Sequence, residues 1–218
     1  MNQNLLVTLE ILLVVVLPLL ALYLRGNWPL RATVPCLLSI PVLWYFTYAP
    51  LHELSHAAGA YLAGGRVVSM KLIPRFWMGE FGGAWITPEG LTRSWQQLTM
   101  TGAPYVLDLP CVVIGLLLLR RAYSSNPFTV GLTFMLLCLR PAFDFVCEPI
   151  AFLRGDKGDF YALQGVTGGF LVWLFIVISF ALCLFSVLTI LRRFVGFPET
   201  RVPSQTQGQD LASPGEGR

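Results

Sequence analysis

Leu51-His52-Glu53-Leu54-Ser55-His56-Ala57-Ala58 is a His-Glu-x-x-His motif set in a strongly apolar stretch. On a helix, His52 and His56 stand one turn apart on one face, so both imidazoles can reach a single metal ion. Glu53 then projects beside that face, placed to act as a general base rather than a ligand. The motif holds both histidines of the chain. Imidazoles and a carboxylate inside a hydrophobic segment are costly unless they serve a site. The pattern therefore points to a metal centre rather than to two incidental interfacial histidines.

Around the motif the composition is that of a membrane protein. Of 218 residues 55% are hydrophobic and only 12% charged, where a soluble domain carries about 25% charged residues. The net charge of +3 is small and scattered, and no basic cluster with interleaved aromatics suggests nucleic acid. Cys36, Cys111, Cys138, Cys147 and Cys183 form no Cys-x-x-Cys pair and read as small membrane hydrophobes.

The flanking segments predict an all-α polytopic fold of about five transmembrane helices, with a small β-hairpin after the motif helix. Leu5 to Leu24 is a first span of bilayer length. Ala32 to Ala63, punctuated by Pro35, Pro41 and Pro50, is too long for one straight span. It predicts a span near Pro35–Tyr48, a kink or break at Pro50, and a motif helix ending at Leu62 before Gly64-Gly65. Val67–Ile73 is β-prone, with a turn over Pro74–Gly83 and a return strand at Ala84–Thr87. Leu91–Met100 reads as an interfacial helix, and Thr101-Gly102-Ala103-Pro104 opens a third span from Tyr105 to Leu119. A fourth span covers Pro127 to Cys147, Arg154–Asp159 is a polar loop, and Gly165 to Leu191 is the last span. Residues 1–197 read as one membrane-embedded domain. From Pro198 to Arg218 the chain is a tail rich in Ser, Gln, Gly and Pro, expected to be disordered.

A catalytic zinc site holds three protein ligands and leaves one position for water. With no third histidine and no cysteine pair, the third ligand is expected to be a carboxylate. Asp144, Glu148, Asp156, Asp159 and Asp108 are the candidates. Asp144 lies in an apolar helix, where a lone carboxylate needs a metal or a cation. Arg140, at i,i+4 spacing, offers the competing ion pair. Asp159 reads more simply as a loop charge or a helix cap, and Asp108 as a hydrogen-bonding group between helices.

His52-Glu53-Leu54-Ser55-His56-Ala57, followed by Ala63-Gly64-Gly65-Arg66-Val67, resembles the site-2 protease family of intramembrane zinc metalloproteases, its small bacterial members above all. Gly102-Ala103-Pro104 resembles that family's Gly-Pro element with one residue inserted, and Arg140-Pro141-Ala142-Phe143-Asp144 its later aspartate motif. The resemblance implies zinc held by His52, His56 and Asp144, with Glu53 as the base. Phe145 stands where the family has glycine, and the asparagine expected after the Gly-Pro element is missing. Some small relatives carry an aspartate before the last span, where Gly158-Asp159-Phe160 lies, which keeps Asp159 as a rival ligand. The expected function is cleavage of a membrane-protein substrate in or near its transmembrane segment, by a multi-pass protein of the bacterial cytoplasmic membrane. The competing readings are a non-proteolytic membrane scaffold with a retained metal site and a small ion or metal transporter. Transport predicts repeated halves, and no internal repeat is apparent.

Overall fold

The computed structural model describes residues 3–26, 28–74, 83–121 and 126–195. The fold is mostly helical, with five helices long and apolar enough to cross a membrane and one two-stranded antiparallel sheet. The expected turn between the strands falls largely outside the described residues, and so does the tail from Pro198.

The first crossing is built from α1 (Gln3–Ile11), a π-helical turn Leu12–Val16, and α2 (Leu17–Arg25). The crossing over 127–153 repeats this plan, with α5 (Pro127–Phe134), a π-helical turn Met135–Leu139 and α6 (Arg140–Leu153). Each widened turn ends two residues before the proline at position two of the next helix, Pro18 or Pro141. A proline ring crowds the carbonyl four residues back and leaves it unpaired. A π-turn on that stretch absorbs the misfit without breaking the rod.

Between these crossings run α3 (Leu30–Leu62), strands β1 (Arg66–Lys71) and β2 (Trp85–Glu89), and α4 (Ser94–Arg121). Neither expected boundary breaks its helix. Helix α3 is continuous through Pro50, and α4 runs through Gly102 and Pro104 without separating an interfacial helix from the span. Tertiary contacts override the local cost of the prolines. Trp44 and Tyr48 pack edge-on against Phe143 at 4.9 and 4.7 Å between ring centroids, while His56 is tied to α4 beyond Pro50. The expected last span instead divides into α7 (Asp159–Thr167) and α8 (Gly169–Val195), because Gly168 takes φ +85° between them. That left-handed conformation suits glycine and ends the shorter helix.

The hairpin forms where the strand propensity places it. Ser69 pairs with Thr87, Met70 with Ile86 and Lys71 with Trp85, and an irregularity between Val67 and Ser69 displaces Val68. Gly64, at φ +81°, terminates α3, and the Gly65 N–H closes back on the Ala60 carbonyl at 2.9 Å. Gln96 then fastens the start of α4 to the end of α3. Its amide donates to the Ala63 carbonyl at 2.8 Å, while its oxygen accepts the Arg93 N–H at 3.0 Å.

Helix 127–153 is the central one: 72% of its most apolar window is buried, against 22–33% for the other four. The outer helices turn large apolar side chains outward, among them Leu24, Leu62, Val106 and Phe170. Leu19, Tyr23, Ile40, Trp44 and Phe134 belong to one core cluster; Tyr105, Phe145, Phe160 and Val172 belong to a second. His52 lies where they meet, 6.2 Å from the Tyr48 ring and 6.4 Å from that of Tyr105.

Gly59 sets the depth at which α3 and α4 cross. A Cβ there would stand 2.7 Å from the Thr99 carbonyl oxygen and 2.8 Å from the Ala103 Cβ. Gly59→Ala is therefore expected to push α4 away from the motif helix. Overpacking of this kind costs about 1–3 kcal/mol. The check is a lower thermal midpoint together with weaker metal binding; unchanged values for both would show that the crossing can yield without cost.

Candidate metal centre

His52 and His56 face α4 and α7 from one side of α3, both almost fully buried. His56 Nδ1 lies 2.9 Å from the Met100 carbonyl oxygen. A carbonyl only accepts, so Nδ1 carries the proton and Nε2 keeps its lone pair. His52 Nδ1 lies 3.1 Å from Asp144 Oδ1, which also accepts the Tyr48 hydroxyl at 2.9 Å. The carboxylate approaches obliquely to the ring N–H and so falls short of a well-formed hydrogen bond. Its charge nevertheless favours the proton on Nδ1, which leaves the His52 Nε2 lone pair facing inward.

Those two nitrogens and one carboxylate oxygen converge. The Nε2 atoms are 3.1 Å apart, and Asp159 Oδ2 lies 3.3 Å from that of His52 and 3.1 Å from that of His56. Ligands at 2.0–2.1 Å around a tetrahedral ion are separated by about 3.3–3.4 Å, so the triangle has the size that one zinc-like ion requires. His52, His56 and Asp159 can hold a metal ion. Three lone-pair-bearing atoms this close repel one another unless a proton or a metal cation lies among them, and the donor set of two imidazoles and one carboxylate suits zinc.

Asp159 reaches the histidines because the chain reverses after α6. The Asp156 N–H bonds the Ala151 carbonyl at 3.0 Å and Gly155 adopts φ +79°, after which α7 runs alongside α4. The first residue of α7 thus lies against α3, far deeper than a solvated loop charge would be. Burial by itself raises the Asp159 carboxyl; without a metal, protons on the imidazole nitrogens that face it outweigh burial and hold the group well below the usual carboxylate range, and a bound cation would take the place of those protons. Tyr105, buried in α4, donates its hydroxyl to Asp159 Oδ2 at 3.0 Å and fixes that oxygen toward the histidines.

Asp144, the expected third ligand, occupies a different place. It is wholly buried on the Nδ1 side of His52, away from the inward-facing Nε2. Behind it Arg140 lies 3.7 Å from its second oxygen and bonds Asp108 of α4 directly. Both readings of Asp144 thus hold part of the geometry: it faces a histidine of the site and it faces Arg140. Asp108 holds helices together, as its position suggested. Arg140 and Asp108 are packed behind the centre rather than lining its approach.

A cavity of about 260 Å³ reaches the centre at His52, and its walls also include Glu53, Tyr48, Phe143, Glu148 and Pro74. Glu53 is half-buried and faces the same space as His52. Tyr48, Tyr105 and the Met100 carbonyl are the contributors that no motif announces. Tyr48 precedes His52 by one helical turn and shares its face, which is the only local signal any of them carries. Tyr105 meets Asp159 across 54 residues of sequence, and no local pattern encodes that.

Comparison of the chain with protein-family models, curated proteins and solved structures finds no match.

Asp144→Asn is expected to weaken metal binding by about 10–100-fold, the usual penalty for losing a group that orients a ligand. The metal should still saturate the site at high concentration. Wild-type affinity in a chelator competition would remove Asp144 from the centre.

Proposed function

We propose that this protein is a zinc-dependent intramembrane endopeptidase of the site-2 protease type. One observation carries the reading: three ligand atoms lie 3.1–3.3 Å from one another, and the glutamate of the same motif shares a cavity wall with one of the three ligand residues, His52. His52, His56 and Asp159 would hold the zinc. Asp159 takes the part that the family resemblance gave to Asp144, in keeping with the aspartate that some small relatives carry before the last span.

Bound zinc would supply an acidified water and a Lewis acid for the peptide carbonyl. Glu53 takes a proton from the attacking water and returns it to the leaving amine, which restores the carboxylate. Asp144 keeps the His52 ring oriented with Nε2 inward, and the Met100 carbonyl does the same for His56. Tyr105 holds the Asp159 oxygen in place. Aromatic walls from Trp44, Tyr48 and Phe143 limit the water that reaches the cavity from the helix side.

The substrate class is a membrane protein cut in or near its transmembrane segment. A peptide bond inside a helix is shielded by its own hydrogen bonds, so the substrate must unwind before attack. Among the described residues strand β1 has a partner on one edge only, and Val68 and Met70 are exposed on it. An added strand from the unwound substrate would satisfy its backbone there. The family resemblance extends the proposal to the cytoplasmic membrane of a bacterium.

The deciding experiment incubates purified full-length protein in detergent with a library of quenched fluorescent peptides of apolar sequence. Cleavage that phenanthroline stops and added zinc restores is the expected result. Bound zinc without cleavage of any peptide would favour a scaffold, and zinc flux in vesicles without cleavage would favour a transporter.

A further inference from the structure

Glu148 of α6 has no part in the mechanism above, yet it sits beside the metal centre. It lines the same cavity as Glu53, and its Oε2 is buried without a hydrogen-bond partner. The Glu148 carboxyl stands at the start of α7, with Oε2 against Gly158 and the carboxyl facing the backbone N–H of Asp159, the first residue of that helix. Helix α7 needs such a partner, because its N-cap is Gly158, which has no side chain to offer the first-turn N–H groups.

Gly158 provides independent support. Its φ of −97° and ψ of −166° describe extended backbone open to any residue, so conformation does not demand glycine. Space does: a Cβ at this position would stand 2.8 Å from Glu148 Oε2 and meet nothing else closer than the same carboxyl's carbon at 3.8 Å. The missing side chain at 158 makes room for one group, the Glu148 carboxylate. A negative charge at this end of the helix is also favoured by the helix dipole.

We infer that Glu148 is a positioning residue for the metal centre, a cap supplied by α6 that fixes the start of α7 and thereby aims Asp159 at the two histidines. The inference rests on the metal-centre reading proposed above. Asp159 is then held from two directions, by Tyr105 at its side chain and by Glu148 packed against the Gly158 that precedes it. The ligand comes from a short helix between two turns, so without the cap its first turn would fray and the third ligand would wander.

The test is zinc affinity by competition with a chromophoric chelator, measured on purified full-length protein in detergent beside the thermal midpoint of the metal-free form. Glu148→Ala should weaken zinc binding by about 10–100-fold. Gly158→Ala should do the same, since its Cβ displaces the carboxylate. Glu148→Gln keeps an acceptor oxygen at the same reach and should restore binding to near the wild-type value, which a mere loss of packing would not predict. Should Glu148→Ala fail to fold, Gly158→Ala and Glu148→Gln carry the test. Wild-type affinity in Glu148→Ala or Gly158→Ala, or Glu148→Gln binding as poorly as Glu148→Ala, would overturn the inference. A wild-type protein that binds no zinc would instead overturn the metal centre itself.

Discussion

Glu53→Gln should lose about 10²–10⁴-fold in peptide cleavage, the range that a positioned general base supplies. It should keep its zinc. The glutamine amide fills the same space at the cavity wall but cannot take the water's proton, and the three ligand atoms stand on other residues. The measurement pairs turnover of a quenched peptide with metal content on the same preparation. Cleavage at the wild-type rate would remove Glu53 from the mechanism and the protease reading with it. Loss of zinc alongside activity would mean that Glu53 acts as a ligand.

Asp159→Ala is expected to have the largest effect on the metal itself. Removing the carboxylate leaves two imidazole nitrogens and the buried Tyr105 hydroxyl, which loses the acceptor it now has at 3.0 Å. Zinc affinity should fall by more than about 100-fold, beyond the penalty for a group that only orients a ligand. Activity should fall with it at any practical zinc concentration. Asp144→Ala in the same assay should be the milder of the two, because Asp144 lies on the Nδ1 side of His52. The reverse order, with metal lost in Asp144→Ala and kept in Asp159→Ala, would return the third ligand to α6. The helix would then have to turn to bring the carboxylate past the imidazole.

Much of this site is local and was therefore legible in the chain. The spacing of His52 and His56 fixes their common face wherever the segment is helical, and it is helical here. The apolar runs specify five helices of crossing length, and alternation with turn residues specifies the hairpin after the motif. These features depend on residues within a few turns of one another.

The aspartate that meets both histidines did not follow from such neighbours. The apolar run before Asp144 and the polar run before Asp159 indicate depth only if distance along the chain measures distance from water. Asp144 is indeed fully buried, yet so placed that Arg140 and His52 Nδ1 share its charge. Asp159 follows glycines and charged residues, yet the turn at Gly155 and the fit of Gly158 against Glu148 carry it inward. Pro50 and Pro104 mislead for a related reason: local propensity disfavours proline in a helix, and packing on both sides of each site outweighs that cost. The sequence by itself determined which two side chains would act as a pair and which carboxylate would stand beside them. Only the tertiary structure decided which distant aspartate comes within reach of both inward-facing nitrogens, because that depends on how α7 folds back against α3 and α4, and no short-range pattern encodes it.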